Sequence, residues 1–237
     1  MTGLAENHWG LYLSADPSAM VSTDRTGEVI TESVRGGVSV IQLRNRAASD
    51  AVFAEQALRI RGAVSRTIAD PGPHTPFHVP VFVHDRFRVA LRHGFHLHLE
   101  HADMAYPEAR RLMPGELMIG VSVDGPGELR TLLADCDDSG VRVPDVIGIG
   151  PVWATDTRRR RAPSLGTDVV DDVAGIAVAA GVTTIAFGGI TPDNVDKLGA
   201  TAVDGVCVST VLMSADDPYA TARTLLNRFR PTEVHRS

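Results

Sequence analysis

The most chemically suggestive residues lie in short polar runs, each following an apolar one. The first is Gln42-Leu43-Arg44-Asn45-Arg46. If the preceding strand continues, alternation turns Gln42, Arg44 and Arg46 to one side. Two guanidiniums on one side suit a multiply charged oxyanion, because each can grip phosphate through paired hydrogen bonds. The plain alternative is a solvated basic turn. His84-Asp85-Arg86 and Glu100-His101-Ala102-Asp103 end two further apolar runs. Asp85 and Asp103 then sit at neighbouring strand ends as a donor pair for a hard cation such as Mg2+. That ion takes one or two carboxylates with phosphate oxygens and water. Each aspartate could instead cap the helix that follows it. Beside the arginines, the metal role is the better reading.

Gly120-Val121-Ser122 ends another run, where a small residue and a hydroxyl allow a flat ring or a phosphate to approach. The loop 151–166 carries Thr155, Thr157 and Arg158, suited to an anion lid. Arg158 opens a run of four arginines, and only this first one is assigned to a ligand, since such runs are mostly solvated. Gly188-Gly189 precede a helical start at Thr191-Pro192, and Ser209-Thr210 precede another. Glycine amides beside a helix start suit phosphate. Histidines 84, 96, 98 and 101 also gather in this part of the chain. A three-histidine zinc site is conceivable, but the nearby carboxylates favour a harder cation.

These groups need a scaffold that brings strand ends together. Strands are expected at 10–14, 38–42, 79–84, 95–99, 117–121, 146–149, 184–187 and 205–208. Their Val, Ile and Leu content on both faces marks strands covered on both sides. Helical patterns occupy 28–35, 49–68, 86–92, 106–112, 126–133, 168–180, 192–198 and 217–229. Ser49 or Asp50, Thr167 and Thr191 read as N-caps, Pro192 as a first helical residue, and Gly181 and Gly199 as stops. The alternation predicts a single α/β domain, a (β/α)8 TIM barrel over about residues 9–229, with a doubly wound open sheet as the rival. In a barrel, every polar run above lies on the catalytic face. The Pro- and His-rich segment 69–79 leads into a strand and falls on the opposite face, with its histidines in solvent.

Composition agrees with a soluble enzyme. The 237 residues are 43% hydrophobic and 22% charged, enough for one large core. A net charge of −6 disfavours nucleic acid and anionic membranes as partners, so an anionic ligand must meet a local basic patch. Cys136 and Cys207 are far apart and form no C-x-x-C pair, which argues against a disulfide framework or structural zinc site and suits a reducing compartment. With no secretory pattern at Met1 and no long apolar run, a cytoplasmic protein is expected.

Taken in order, these residues resemble the thiamine-phosphate synthases. The resemblance spans roughly residues 9–229. It rests on Leu11-Tyr12-Leu13, Gln42-Leu43-Arg44, Asp85-Arg86, His98-Leu99 with Asp103, and Gly120-Val121-Ser122. It continues through Gly148 to Val152, Thr155-Asp156-Thr157, Leu165-Gly166 and Gly188-Gly189-Ile190-Thr191-Pro192-Asp193-Asn194. It implies a barrel that joins a 4-amino-2-methyl-5-pyrimidinylmethyl diphosphate to a thiazole phosphate, either the carboxylate or the ethyl phosphate. Carried over by position, Gln42, Arg44, Asn45, Arg46 and His84 would hold the pyrimidine diphosphate, and Ser122 the pyrimidine. Thr155, Thr157, Gly188, Gly189, Ser209 and Thr210 would seat the thiazole phosphate. Arg44, Arg46 and Arg158 would stabilise the departing diphosphate as the catalytic groups. Asp85 and Asp103 would bind Mg2+. The departures are Arg46 and Arg158 where lysine is usual, His84 for asparagine, and Glu100 for glycine. A thiazole tautomerase of the same superfamily and a non-catalytic thiazole-phosphate-binding barrel remain alternatives. A homo-oligomer is left open.

Overall fold

The computed structural model describes residues 9–17, 25–100, 104–155 and 163–229. Among them, eight parallel strands close into a barrel in sequential order. They are β1 (Leu11–Ala15), β2 (Val40–Leu43), β3 (Val81–His84), β4 (His96–Leu99), β5 (Ile119–Val123), β6 (Val146–Ile149), β7 (Thr183–Phe187) and β8 (Gly205–Val208). The helices are α1 (Thr26–Arg35), α2 (Asp50–Ala69), α3 (Phe87–His93), α4 (Tyr106–Leu112), α5 (Pro126–Ser139), α6 (Gly166–Ala179), α7 (Thr210–Met213) and α8 (Pro218–Arg228). A 3-10 helix, Val195–Ala200, stands between β7 and β8. Closure of β8 on β1 rules out the open sheet.

Strand alternation divides each strand between two cores. Outward residues such as Leu11, Leu13, Ile41, Leu43, Val83, Leu97 and Ile147 are buried against the helices. Inward residues form a separate plug: Trp9, Tyr12, Val40, Phe82, Met118, Val146 and Ile185. Two residues further along, the inward positions become polar. Register sets Ser14 beside Gln42, His84 beside His98, and Ser122 beside Gly148. The plug closes the lower barrel, and the polar layer floors the upper mouth.

Local signals explain most helix ends. Ser49 accepts a hydrogen bond from Val52 N and caps α2, and Asp217 does the same for Ala220 N in α8. The expected stop at Gly181 is met, with φ at +72° just beyond α6. Three expectations are corrected. Thr167 lies inside α6, which begins at Gly166 after Leu165. Thr191 and Pro192 do not open a helix, because Thr191 N donates to Asn194 Oδ1 and Asn194 Nδ2 donates to Gly189 O, a side-chain turn that delays helix onset to Val195. Gly199 is inside the 3-10 helix and does not end it. The segment 69–79 lies at the N-terminal ends of the strands with His74 and His78 exposed, as expected. Among the described residues, no helix is long and apolar enough to cross a membrane.

Candidate active site

A cavity of about 620 Å³ opens at the C-terminal mouth of the barrel. Its lining includes Gln42, Arg44, His84, Ser122, Thr155, Gly188, Gly189, Ser209 and Thr210. Nine of the residues chosen from the sequence therefore share one chamber. Asn45 is spent elsewhere: its amide donates to Gln56 Oε1 at 3.1 Å and accepts from Ala48 N at 3.2 Å. Asp103, Thr157 and Arg158 lie outside the described residues.

One side of the cavity is a network of ions. Tyr12 OH donates to Gln42 Oε1 at 2.7 Å, which leaves the Gln42 amide nitrogen to donate to His84 Nδ1 at 3.0 Å. That contact directs a proton to His84 Nε2, which lies 3.1 Å from Asp85 and 3.2 Å from Glu100. Burial opposes charge on His84, but its hydrogen bonds to Asp85 and Glu100 hold its pKa above the ordinary value. Burial likewise opposes charge on Asp85, and the His84 contact holds its carboxyl below the usual range. Asp85 does not cap α3, whose N-cap is Arg86. Instead its Oδ1 accepts from the Glu100 N–H at 2.7 Å, and its backbone stands at φ +50°.

The carboxylate of Glu100 is 10% exposed and meets both arginines of the β2 end. Arg46 Nη2 contacts Glu100 Oε2, and Arg44 Nη2 approaches the same oxygen at 3.8 Å. Arg86 braces the loop bearing them. Its Nη2 donates to the carbonyls of Asn45, Arg46 and Ala48 at 3.3, 3.4 and 3.0 Å, and its guanidinium lies 5.3 Å from the Phe53 ring centre. One donor atom from each of His84, Asp85 and Glu100 lies within 4.8 Å of the others. Asp85 and Glu100 supply the oxygen donors that a divalent cation requires, so the residues present fit such an ion.

The opposite side is neutral and built from backbone. Val152 N donates to Phe187 O and Trp153 N to Gly188 O, which zips the loop after β6 to the loop after β7. Gly189 has φ +67°, and a Cβ there would stand 2.8 Å from Ala154 O and Trp153 Cβ. Only glycine lets these two loops approach so closely. Between the two sides, His98 Nε2 lies 2.9 Å from Ser122 Oγ. Burial, aided by the charge of His84, pushes His98 down to about 4, so its ring is neutral. Among the described histidines, neutral His98 and the carboxylate-bound His84 do not make a zinc triad, and His96 is spent on Met118 N; His101 lies outside the described residues.

Tyr12, Asp16, Phe187 and Cys207 also line the cavity, although sequence reasoning had not selected them. For Tyr12 a signal existed: Leu11-Tyr12-Leu13 places it alone at inward parity between two outward leucines. Asp16 follows β1 as Arg44 follows β2, and could have been found by the same strand-end rule.

Residues 11–212 match the family described as thiamine monophosphate synthase. The chain is 33% identical over 224 residues to the thiamine-phosphate synthase of Laribacter hongkongensis, covering 92% of this chain and 93% of that one. It is 37% identical over 219 residues to a thiamine biosynthesis multifunctional protein of Corynebacterium efficiens. It is also 34% identical over 224 residues to the corresponding protein of Corynebacterium glutamicum. The chain spans 28% of the length of each of these two multifunctional relatives. Among solved structures, the thiamine phosphate pyrophosphorylase from Pyrococcus furiosus superposes with a TM-score of 0.74 at 25% identity, covering 95% of this chain and 97% of that one.

Proposed function

The chain belongs to the thiamine monophosphate synthase family, and on that premise we propose that it joins two small molecules, a 4-amino-2-methyl-5-pyrimidinylmethyl diphosphate and a thiazole phosphate, to give thiamine phosphate and diphosphate. The carrying observation is a single chamber with two unlike ends. Arg44, His84 and Glu100 line the charged end, with Arg46 paired to Glu100 and Asp85 to His84 behind them, and Gly188, Gly189, Ser209 and Thr210 line the backbone-rich end.

The reaction breaks the carbon–oxygen bond to diphosphate and forms a carbon–nitrogen bond to the thiazole. An aminopyrimidine releases electron density to its benzylic carbon as diphosphate departs, so no protein nucleophile is needed. The protein's work is to balance the leaving charge, exclude water and align the thiazole nitrogen. Arg44 and Arg46 supply cationic hydrogen bonds to the leaving group, with Arg158 proposed to join them. Asp85, with Asp103, is proposed to hold Mg2+. The metal ion would offset charge on the diphosphate. Ser122, held by His98, is proposed to contact the pyrimidine. Thr155 and Thr157 complete the seat for the thiazole phosphate. The reading places the protein in the cytoplasm.

A tautomerase would need a histidine free to shuttle protons at the thiazole end. Among the described residues, His84 is instead held by Gln42, Asp85 and Glu100, and His98 is buried and neutral. The test is direct: supply both substrates with Mg2+, and follow thiamine phosphate and diphosphate together. Equal amounts of both are expected. No product at high enzyme concentration would overturn the assignment.

A further inference from the structure

The two arginines assigned to the diphosphate are already holding an anion. Glu100 Oε2 is contacted by Arg46, lies 3.8 Å from Arg44, and accepts from His84 Nε2 at 3.2 Å. Its side chain is 10% exposed and that of Arg44 15%, so both ends of the pair are largely out of water. Screening there is weak, and the attraction is correspondingly firm. Arg46, at 44% exposed, keeps one flank open to an incoming ligand.

We propose that Glu100 is a built-in competitor for the diphosphate site, and that it sets the affinity threshold of that site by requiring an anion strong enough to displace it from both arginines. The inference rests on the assignment of Arg44 and Arg46 to the diphosphate. One carboxylate oxygen engages both guanidiniums at a single point. A diphosphate carries two phosphoryl groups and can take the two guanidiniums separately, each through paired hydrogen bonds. A lone phosphate gains less over the carboxylate it must replace. An anion that takes both arginines therefore binds only after Glu100 has moved, and its apparent affinity scales with the fraction of molecules in which Glu100 is displaced. That reduction acts equally on every anion seated between the two arginines. Only a polyanion spanning both arginines recovers it.

The consequence runs opposite to ordinary damage at a binding site. Removing a group that supports the site weakens binding, whereas removing a competitor strengthens it. Glu100→Gln keeps shape and removes the charge, and Glu100→Ala serves as a second variant if the amide disturbs folding. Binding of inorganic pyrophosphate and of inorganic phosphate is measured by calorimetry on the full chain, with chelator present so that no divalent cation contributes. Both variants are expected to bind pyrophosphate about tenfold more tightly than the native protein. Phosphate affinity is expected to rise by the same factor, because the competition is common to both anions. Unchanged or weaker pyrophosphate binding in both variants would overturn the proposal. The outcome is separable from the synthase assignment: tighter binding with no thiamine phosphate formed by the native protein would leave the competitor in place and sink the reaction.

Discussion

The Nε2 atom of His98 lies 2.9 Å from the hydroxyl of Ser122, joining β4 to β5 at the floor of the cavity. His98 is buried with its pKa pushed down to about 4, so near neutral pH this is a bond between neutral groups. It leaves the Ser122 hydroxyl on a defined side of the chamber. Ser122→Ala removes the hydroxyl while leaving the ring of His98 in place. The KM for the pyrimidine diphosphate is expected to rise about tenfold, the scale of one lost hydrogen bond in a dry site, with the KM for the thiazole phosphate unchanged. Equal effects on both substrates would show that Ser122 does not distinguish the two ends.

Asp85 occupies a position where charge and backbone can be tested apart. Its φ of +50° is costly for most residues but tolerated by asparagine. Asp85→Asn therefore preserves the turn, and the amide oxygen can still accept from the Glu100 N–H. What it loses is the anionic oxygen. Metal-dependent turnover is expected to fall about 100-fold or more, and Mn2+ binding, followed by electron paramagnetic resonance, to weaken in parallel. Native-like Mn2+ affinity in the variant would remove Asp85 from the metal site.

Much of this arrangement was legible in the sequence, for a physical reason. Strand ends are marked by the change from apolar to polar residues, and the positions of Gln42, His84 and Ser122 at such changes are enough to announce the inward polar layer. The bounds of β6 and β8 match the sequence expectation. The remainder depends on distance in space. Glu100 could be read as a departure from glycine at a strand end, but its partner Arg46 is 54 positions away, and only barrel closure brings them together. The side-chain turn between Thr191 and Asn194 uses residues that equally suit a helix start. The four-residue helix α7 is too short to leave a periodic signature.

The two thiols give a pH prediction with a definite sign. Burial pushes Cys207 up to about 12 and Cys136 up to about 11. Thiolate is the reactive form, so reactivity rises with pH and stays low until those values are approached. At pH 8 the thiolate fraction of Cys207 is on the order of 1 in 10,000. Cys207 lines the cavity but is expected to resist iodoacetamide at pH 8 in the folded protein, while both cysteines react in urea. Mass spectrometry counts the adducts. Rapid modification of Cys207 in the folded state at pH 8 would show an environment that favours the thiolate.

The floor of the site also limits what β5 can carry. A Cβ at Gly120 would stand 2.5 Å from His98 Nδ1 and 2.7 Å from Val146 Cγ1. Both neighbours are buried inside the barrel, so either must shift toward the cavity they line to admit a methyl group. Gly120→Ala should thus overpack the floor, at about 1–3 kcal/mol, and lower the melting temperature by roughly 3–10 °C. Because the ring that must give way is the one bonded to Ser122, the KM for the pyrimidine diphosphate should rise as well. Gly115→Ala is the control, since a Cβ there meets nothing within 4 Å. A Gly120→Ala protein that melts and binds like the control would mean that His98 is free to move, and that Ser122 is not held in place by it.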